Sequence, residues 1–203
     1  MQGLKEQISL ALGRAHQGTS DFELNPETIL PAGRRLRPAG VLLGITTYTE
    51  SPQVILTKRS SALKHHPGQI AFPGGKVDAS DADETDAALR EAWEEIGLPI
   101  DLPQVIGTLP AHETVTGFLA KPVVALIPEP FEIQPETGEV AEVFSTPLSH
   151  VLEPENYLVQ SRRWRGQRRH FYVVPYGPYY IWGATARMLR GFAAAMANEK
   201  GGL

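Results

Sequence analysis

Apolar side chains recur along this chain in two periods, and the changes of period mark its elements. Near the start, Leu4, Ile8, Leu10 and Leu12 follow an amphipathic helix that closes near Gly18. The polar, proline-bearing stretch 19–37 reads as a long connection. Residues 39–48 (AGVLLGITTY) are β-branched and apolar, Glu50-Ser51-Pro52 turns the chain, and residues 53–58 (QVILTK) form a second strand, so a hairpin is expected. A loop rich in His, Pro and Gly runs to Lys76. A helix is then expected over 82–96, with Gly97 as its C-terminal cap and Pro99 preventing continuation. Further strands are expected at 104–109, 122–127, 140–144 and 171–174. A last helix over 182–198 carries Met188, Leu189, Phe192 and Met196 at helical spacing. Strands and helices alternate without internal repeats, which predicts an α/β (α+β) fold, a mixed β-sheet covered by helices.

The 203 residues suffice for one core and would be a squeeze for two. The expectation is a single domain over 1–203, with a helix and connection in 1–36 and the core in 37–198. With no cysteine in the chain, disulfides, iron–sulfur clusters, Cys-ligated zinc and thiol nucleophiles are excluded, so any metal is held by oxygen or imidazole. A net charge of −4 argues against nucleic acid as a partner. That average hides two opposed patches: residues 78–95 hold eight carboxylates against one arginine, whereas residues 161–170 hold five arginines and no acid. Lys5, Glu6 and Gln7 interrupt the start of the chain where a signal peptide needs a continuous apolar run. The longest apolar runs have strand length, and no membrane partner is expected. A cytoplasmic location is the default, and the N-terminal extension is a candidate surface for a homodimer.

The most informative segment is Arg90-Glu91-Ala92-Trp93-Glu94-Glu95-Ile96-Gly97-Leu98. On a helix, Glu91, Glu94 and Glu95 project within one sector, with Leu89, Trp93 and Ile96 roughly opposite, facing the core. Like charges three and four residues apart destabilise a helix by a few tenths of a kcal/mol per pair, roughly, and one arginine cannot neutralise three glutamates. An acidic helix face is usually just solvated. Here three features argue otherwise: the i, i+3, i+4 spacing suits a hard divalent ion, the paired glycines of Phe72-Pro73-Gly74-Gly75 let the main chain approach a ligand or lend it a carbonyl, and Arg90 can reach Asp86 and Glu94 along one edge.

Gly75 followed by residues 90–98 resembles the Nudix box: Gly, five residues, Glu, seven residues, then Arg-Glu-apolar-any-Glu-Glu-any-Gly-apolar. The second half matches fully. In the first half the acid six positions after Gly75 is Asp81, and one extra residue separates it from Arg90, leaving Asp81 and Glu84 both open as partners of that arginine. Upstream, Leu56-Thr57-Lys58-Arg59-Ser60, Leu63, His66, Gly68-Gln69 and Phe72-Pro73-Gly74-Gly75 with Asp78 are similar to the extended motif of the coenzyme A pyrophosphatase branch of Nudix hydrolases. Leu109-Pro110, Thr116-Gly117 and residues 121–124 look like the same branch. The resemblance implies a Nudix-like α/β/α sandwich forming a single Nudix hydrolase domain, with 37–198 as its catalytic core. It further implies divalent-metal-dependent hydrolysis of the diphosphate of coenzyme A, or a derivative, to 3′,5′-ADP and 4′-phosphopantetheine or its acyl form.

Water attacking a diphosphate adds negative charge to oxygens that are already anionic, so a bare carboxylate cluster would repel the substrate. Mg²⁺ or Mn²⁺ resolves this by bridging acids and phosphate. Glu91 and Glu95, one turn apart, are the first candidate ligands, as the resemblance also implies. Glu94 is a candidate for a second metal or for taking a proton from water, and the Gly75 carbonyl is a further ligand. Glu139, with Glu142 behind it, is the candidate acid from a distant loop. Arg90 is read as holding a carboxylate in one rotamer. Arg59, His66, Gln69 and Gly74 are the candidate substrate contacts, while His65 and His112 are read as structural or exposed. Arg162, Arg163, Arg165, Arg168 and Arg169 fit a solvated hairpin turning at Gly166-Gln167 better than a grip on the 3′-phosphate, and Tyr176, Tyr179, Tyr180 and Trp182 fit core packing better than an adenine platform. The competing functions are hydrolysis of another nucleoside diphosphate derivative (ADP-ribose, a dinucleotide or a nucleoside triphosphate) and, from another class, a silent nucleotide-binding module.

Overall fold

The structure is a computed structural model describing residues 2–64, 66–164 and 166–197. His65, Arg165 and the expected last residue of the final helix, Asn198, lie outside the described residues. In chain order the elements are α1 (Gln2–Arg14), β1 (Thr19–Ser20), β2 (Arg37–Thr46), β3 (Gln53–Arg59), β4 (Ile70–Ala71), β5 (Gly74–Lys76), α2 (Glu84–Ile96), β6 (Gln104–Thr108), β7 (His112–Glu113), β8 (Phe118–Ile127), β9 (Val140–Pro147), α3 (Leu148–Leu152), β10 (Leu158–Trp164), β11 (Gln167–Val173) and α4 (Ala184–Ala197). None of the described helices is long and apolar enough to cross a membrane.

Two strands organise the mixed sheet. β2 runs parallel to β8 along its whole length, from Arg37 opposite Phe118 to Thr46 opposite Ile127. β3 runs antiparallel to β9. The expected hairpin of β2 and β3 is real but joined only at Ile45 opposite Val54 and Thr46 opposite Gln53. Beyond that point the strands part. β4 continues along β3 and β5 along β2, so the chain between them crosses the opening at Phe72-Pro73, where Leu42 N–H donates to the Pro73 carbonyl (2.8 Å). The glycine pair is thereby held at the split in the sheet.

Alternation along the central strands builds two cores. On β8, Val123, Ala125 and Ile127 face α2, whereas Val124 and Leu126 face α1 and α4. On β3, Ile55 turns toward α2 while Val54 and Leu56 turn away. Helices thus cover both faces, giving the α/β sandwich. Leu10, expected on the buried stripe of α1, is 56% exposed, and Ile8 and Ala11 occupy that stripe instead.

The stretch after α1 is more ordered than its composition implies. Thr19–Ser20 pairs in parallel with β7. Buried Asn25 acts as a substitute strand edge: its amide donates to the His170 carbonyl (3.0 Å) and its side-chain oxygen accepts from His170 N–H (2.8 Å). His112, fully buried, bonds Thr19 Oγ1 through Nδ1 (2.8 Å) and Asp21 Oδ1 through Nε2 (3.2 Å), a structural role as expected. The arginine-rich segment forms the β10–β11 hairpin, turning at Gly166 with φ +82° and placing Arg162 opposite Arg169 and Arg163 opposite Arg168.

Candidate active site

α2 is defined at both ends by side-chain and backbone chemistry. At its start Asp83 accepts from Thr85 N–H (2.7 Å) and Asp86 N–H (3.1 Å), satisfying two of the free donors of a first helical turn. At its end Gly97 adopts φ +74° and donates to the Trp93 carbonyl (2.9 Å), a left-handed cap that glycine adopts without strain. The last carbonyls are also taken: Glu95 O accepts from Glu136 N–H (2.9 Å) and Ile96 O from Gln134 N–H (3.0 Å). The irregular run before β9 is therefore tied to the end of the helix that carries the acids.

The helix sits close to the sheet because β2 has a glycine beneath it. A Cβ on Gly40 would lie 1.8 Å from the Glu84 carbonyl oxygen and 2.9 Å from the Ala88 nitrogen. Small Ala88 and Ala92, with Ile96, form the buried face. Trp93 does not belong to it: at 53% exposure it lies on the solvent side. The ring is too large for an interface set at alanine distance, so the helix turns its small residues inward.

Arg90 organises the acids. Its Nε and Nη2 each reach one oxygen of Asp81 at 2.9 Å, Nη1 reaches Glu91 (3.2 Å) and Glu94 (3.0 Å), and Nη2 also donates to the Lys76 carbonyl (3.2 Å). Of the two candidate partners Asp81 is the one chosen. Glu84 pairs with Lys121 instead (2.9 Å). Asp86, expected to reach Arg90, instead accepts from Ala82 N–H (3.1 Å) ahead of the helix. The Arg90 guanidinium, with the Asp78 N–H, holds the Asp81 carboxyl down to about 2.

Glu91 and Glu95 point back to the glycine pair. The Glu91 carboxylate occupies the space a Gly75 side chain would fill, its Oε1 being 2.3 Å from the position of that absent Cβ. Glu95, 5% exposed, accepts from Gly74 N–H (3.2 Å), and Gly74 itself has φ +150° with the β2 backbone pressed against it. Burial pushes the Glu95 carboxyl up to about 8, with Glu91 and Glu139 adding repulsion while the Gly74 N–H and Arg59 act in the opposite direction. Burial also raises Glu91, against the pull of Arg90. Two acids one turn apart are thus held where carrying charge is unfavourable.

Glu139 comes close enough to act on both through its field, because Glu136 turns the chain by accepting its N–H (2.8 Å). Glu142 is engaged elsewhere, accepting from the Tyr179 hydroxyl (2.5 Å). Arg59 closes β3 and is locked to the glutamine loop by its N–H to the Gln69 carbonyl (2.9 Å). Gln69 faces Gly183, the residue before α4. His66 is exposed, with φ +54°, and its carbonyl accepts from Gln69 N–H (3.2 Å). Gly40, Gln134 and Glu136 shape the site without having been singled out in sequence, and Lys121 was noted only within the 121–124 stretch; of the first three only Gly40 carried a signal, a glycine inside an apolar strand.

Among the described residues, no three His, Asp or Glu side chains converge into a ready-made cation cage. Arg90 holds Glu91 and Glu94 through one nitrogen, and the Gly74 N–H holds Glu95.

The NUDIX domain model matches residues 37–172, from the start of β2 to the end of the arginine hairpin. The chain belongs to the Nudix hydrolase family. The uncharacterised Nudix hydrolase NudL of Enterobacter sp. (strain 638) is 42% identical over 157 residues, 77% of this chain and 81% of that protein. Its namesake in Cronobacter sakazakii is 39% identical over 180 residues, 89% of this chain and 93% of that protein. The fold is that of the MutT protein from Methanosarcina mazei Go1, with a TM-score of 0.53 at 18% identity, covering 84% of this chain and 99% of that one. Nudix hydrolases generally use divalent metals such as Mg²⁺ or Mn²⁺. The residues here fit one. Among the described residues Glu95 is a buried carboxylate with a single N–H partner at 3.2 Å, Glu91 lies against a residue that must lack a side chain, and every candidate donor is a hard oxygen.

Proposed function

We propose that this Nudix hydrolase is a single-domain enzyme, with residues 37–198 as catalytic core, that cleaves the diphosphate of coenzyme A or its acyl derivatives. The products are 3′,5′-ADP and 4′-phosphopantetheine or its acyl form. The observation that carries hydrolysis is the pair Glu91 and Glu95, both raised chiefly by burial and both set against Gly74-Gly75. A helix face meant only for solvent has no reason to bury them.

Glu91 and Glu95, with Glu94 and the Gly75 carbonyl, would hold Mg²⁺ or Mn²⁺, which supplies charge neutralisation at the phosphates and acidifies the attacking water. Arg90 fixes the rotamers of Glu91 and Glu94. As the alternative to ligating a metal, Glu94, with its side chain 47% exposed, takes the proton of incoming water, and Glu139, whose field reaches Glu91 and Glu95, is the second acid. Arg59 and the Gln69 amide, with His66 at the mouth of the loop and the Gly74 main chain, bind the anionic substrate.

Coenzyme A is favoured over other diphosphates by the motif running from Leu56 to Gly75. The test is a panel of coenzyme A, dephospho-coenzyme A, ADP-ribose, dinucleotides and nucleoside triphosphates, with product identification in Mg²⁺, in Mn²⁺ and in chelator. Metal-dependent release of 3′,5′-ADP supports the reading. Preference for ADP-ribose would move the enzyme to another nucleoside diphosphate derivative, and absence of turnover on every compound would leave a binding module.

A further inference from the structure

Across β3–β4 from the acids lies a recess of about 180 Å³ lined by Lys58, Gly68, Ile70, Tyr179, Tyr180 and Trp182. Its rings are fixed before any ligand arrives. Tyr179 stacks on Phe144 at 3.6 Å and donates to Glu142. Tyr180 donates to Gln160 (2.6 Å) although 44% of it is exposed. Trp182 meets Phe171 edge-on and carries the Arg162 guanidinium 4.4 Å from its ring centre. Core packing explains Tyr179 against Phe144 but does not explain a partly open wall of tethered rings beside a lysine. Glu142, opposite Lys58 across the strands, is engaged by Tyr179, and no carboxylate among the described residues forms an ion pair with Lys58.

The recess is smaller than the roughly 300–1,000 Å³ that encloses a whole drug-sized ligand, so it suits one end of a longer molecule. Its composition is aromatic and cationic, matching a flat heterocycle that bears phosphate. Gly68 in the recess wall donates its N–H to the Arg59 carbonyl (3.1 Å), and Arg59, whose charge acts on Glu95, donates its own N–H to the Gln69 carbonyl (2.9 Å). The end of β3 and the loop 66–69 therefore join the recess to the side that carries the acids.

We infer that this recess is the subsite for the nucleotide end of the substrate, with Tyr180 and Trp182 seating the base and Lys58 and Arg162 reading a phosphate outside the scissile diphosphate. The inference rests on the coenzyme A reading, since that substrate carries such a phosphate and ADP-ribose does not. It turns the aromatic wall and part of the arginine hairpin into specificity determinants.

The test is calorimetric titration of the chelator-treated protein with 3′,5′-ADP and with 5′-AMP, alongside coenzyme A turnover by wild type. Trp182→Ala is expected to weaken both ligands by about tenfold or more, the scale of one lost base stack. Lys58→Ala, an exposed strand position that leaves the fold intact, is expected to weaken 3′,5′-ADP selectively and bring the two ligands toward equal affinity. Arg162→Ala is expected to do the same. If wild type hydrolyses coenzyme A but Lys58→Ala and Arg162→Ala still discriminate as wild type does, the subsite assignment is overturned and the function stands. If wild type releases no 3′,5′-ADP from coenzyme A, the function falls. A selective loss in the two cation variants would then still place a nucleotide phosphate in the recess.

Discussion

Arg90 grips Asp81 through two parallel hydrogen bonds of 2.9 Å, although Asp81 precedes the helix and lies outside the ideal spacing of the box. The side chain of Asp81 is only 4% exposed and that of Arg90 21%. Such a bidentate pair fixes the guanidinium plane, and through that plane the positions of Glu91 and Glu94. Asp81→Asn keeps the shape but halves the grip. Metal affinity is expected to fall about 10–100-fold, as when other supports of a ligand shell are removed, while thermal unfolding moves little. Mn²⁺ titration of activity measures it. Because the Asp81 carboxyl is held to about 2, the pair persists through mildly acidic pH, so acid loss of activity above about pH 4 must come from other groups.

Glu95 makes the opposite prediction for pH. In the metal-free protein its carboxyl titrates near 8, against an ordinary value of 4.5. Between those values the folded state keeps a proton that the unfolded state has lost. The contribution to stability is therefore fully present below pH 4.5 and is lost as pH rises through about 8. The gap sets a ceiling of about 5 kcal/mol. Urea unfolding in chelator should show wild type weakening across this window and Glu95→Gln losing most of that slope, with the remainder left to Glu91, while the same variant loses nearly all turnover in Mg²⁺. An unchanged slope in the glutamine variant would remove Glu95 as its source.

How far the sequence reaches can be judged from these residues. The helix, its glycine cap and the acid face follow from local spacing, and each is in place. Trp93 was misplaced because periodicity ranks residues by hydrophobicity and is blind to the distance between helix and sheet, which Gly40 sets and which admits Ala88 and Ala92. The partner of Arg90 depended on the path of the loop before α2, which no helical period describes. β10 is expected only as an arm of the hairpin turning at Gly166-Gln167, without bounds, because its alternation is Val, Ser and Arg with little apolar signal and the pairing that makes it a strand comes from β11. The N-terminal connection looked irregular for a similar reason: Asn25 earns its place only through the distant His170 backbone.

Gly40 yields a test of how closely geometry controls the site. A methyl there meets main chain, not a movable side-chain tip, so α2 must lift away from β2. Overpacking of this kind destabilises by about 1–3 kcal/mol. A displacement near 1 Å can lower turnover by about 10²-fold. Gly40→Ala is thus expected to impair kcat more than its fall in stability explains, measured at a temperature where urea titration shows it fully folded. If kcat is retained, Glu91 and Glu95 tolerate movement and the close approach serves packing alone.

Asp83 stands two residues from Asp81 and does different work. Both side chains accept backbone N–H groups, but Asp83 spends its oxygen on Thr85 and Asp86, has no contact with Arg90, and its carboxyl is held low mainly by those N–H bonds. Asp83→Ala is expected to destabilise by about 1 kcal/mol, the usual effect of losing a helix cap, with metal affinity within about twofold of wild type, since the Arg90–Asp81 clamp ties the chain on both sides of that turn and does not use Asp83. Chemical unfolding and Mn²⁺ titration on the two variants separate the roles. Asp81→Asn shifts the metal midpoint and Asp83→Ala the unfolding midpoint, whereas a large metal defect in Asp83→Ala would mean that the first turn of α2, not the arginine, sets the acid geometry.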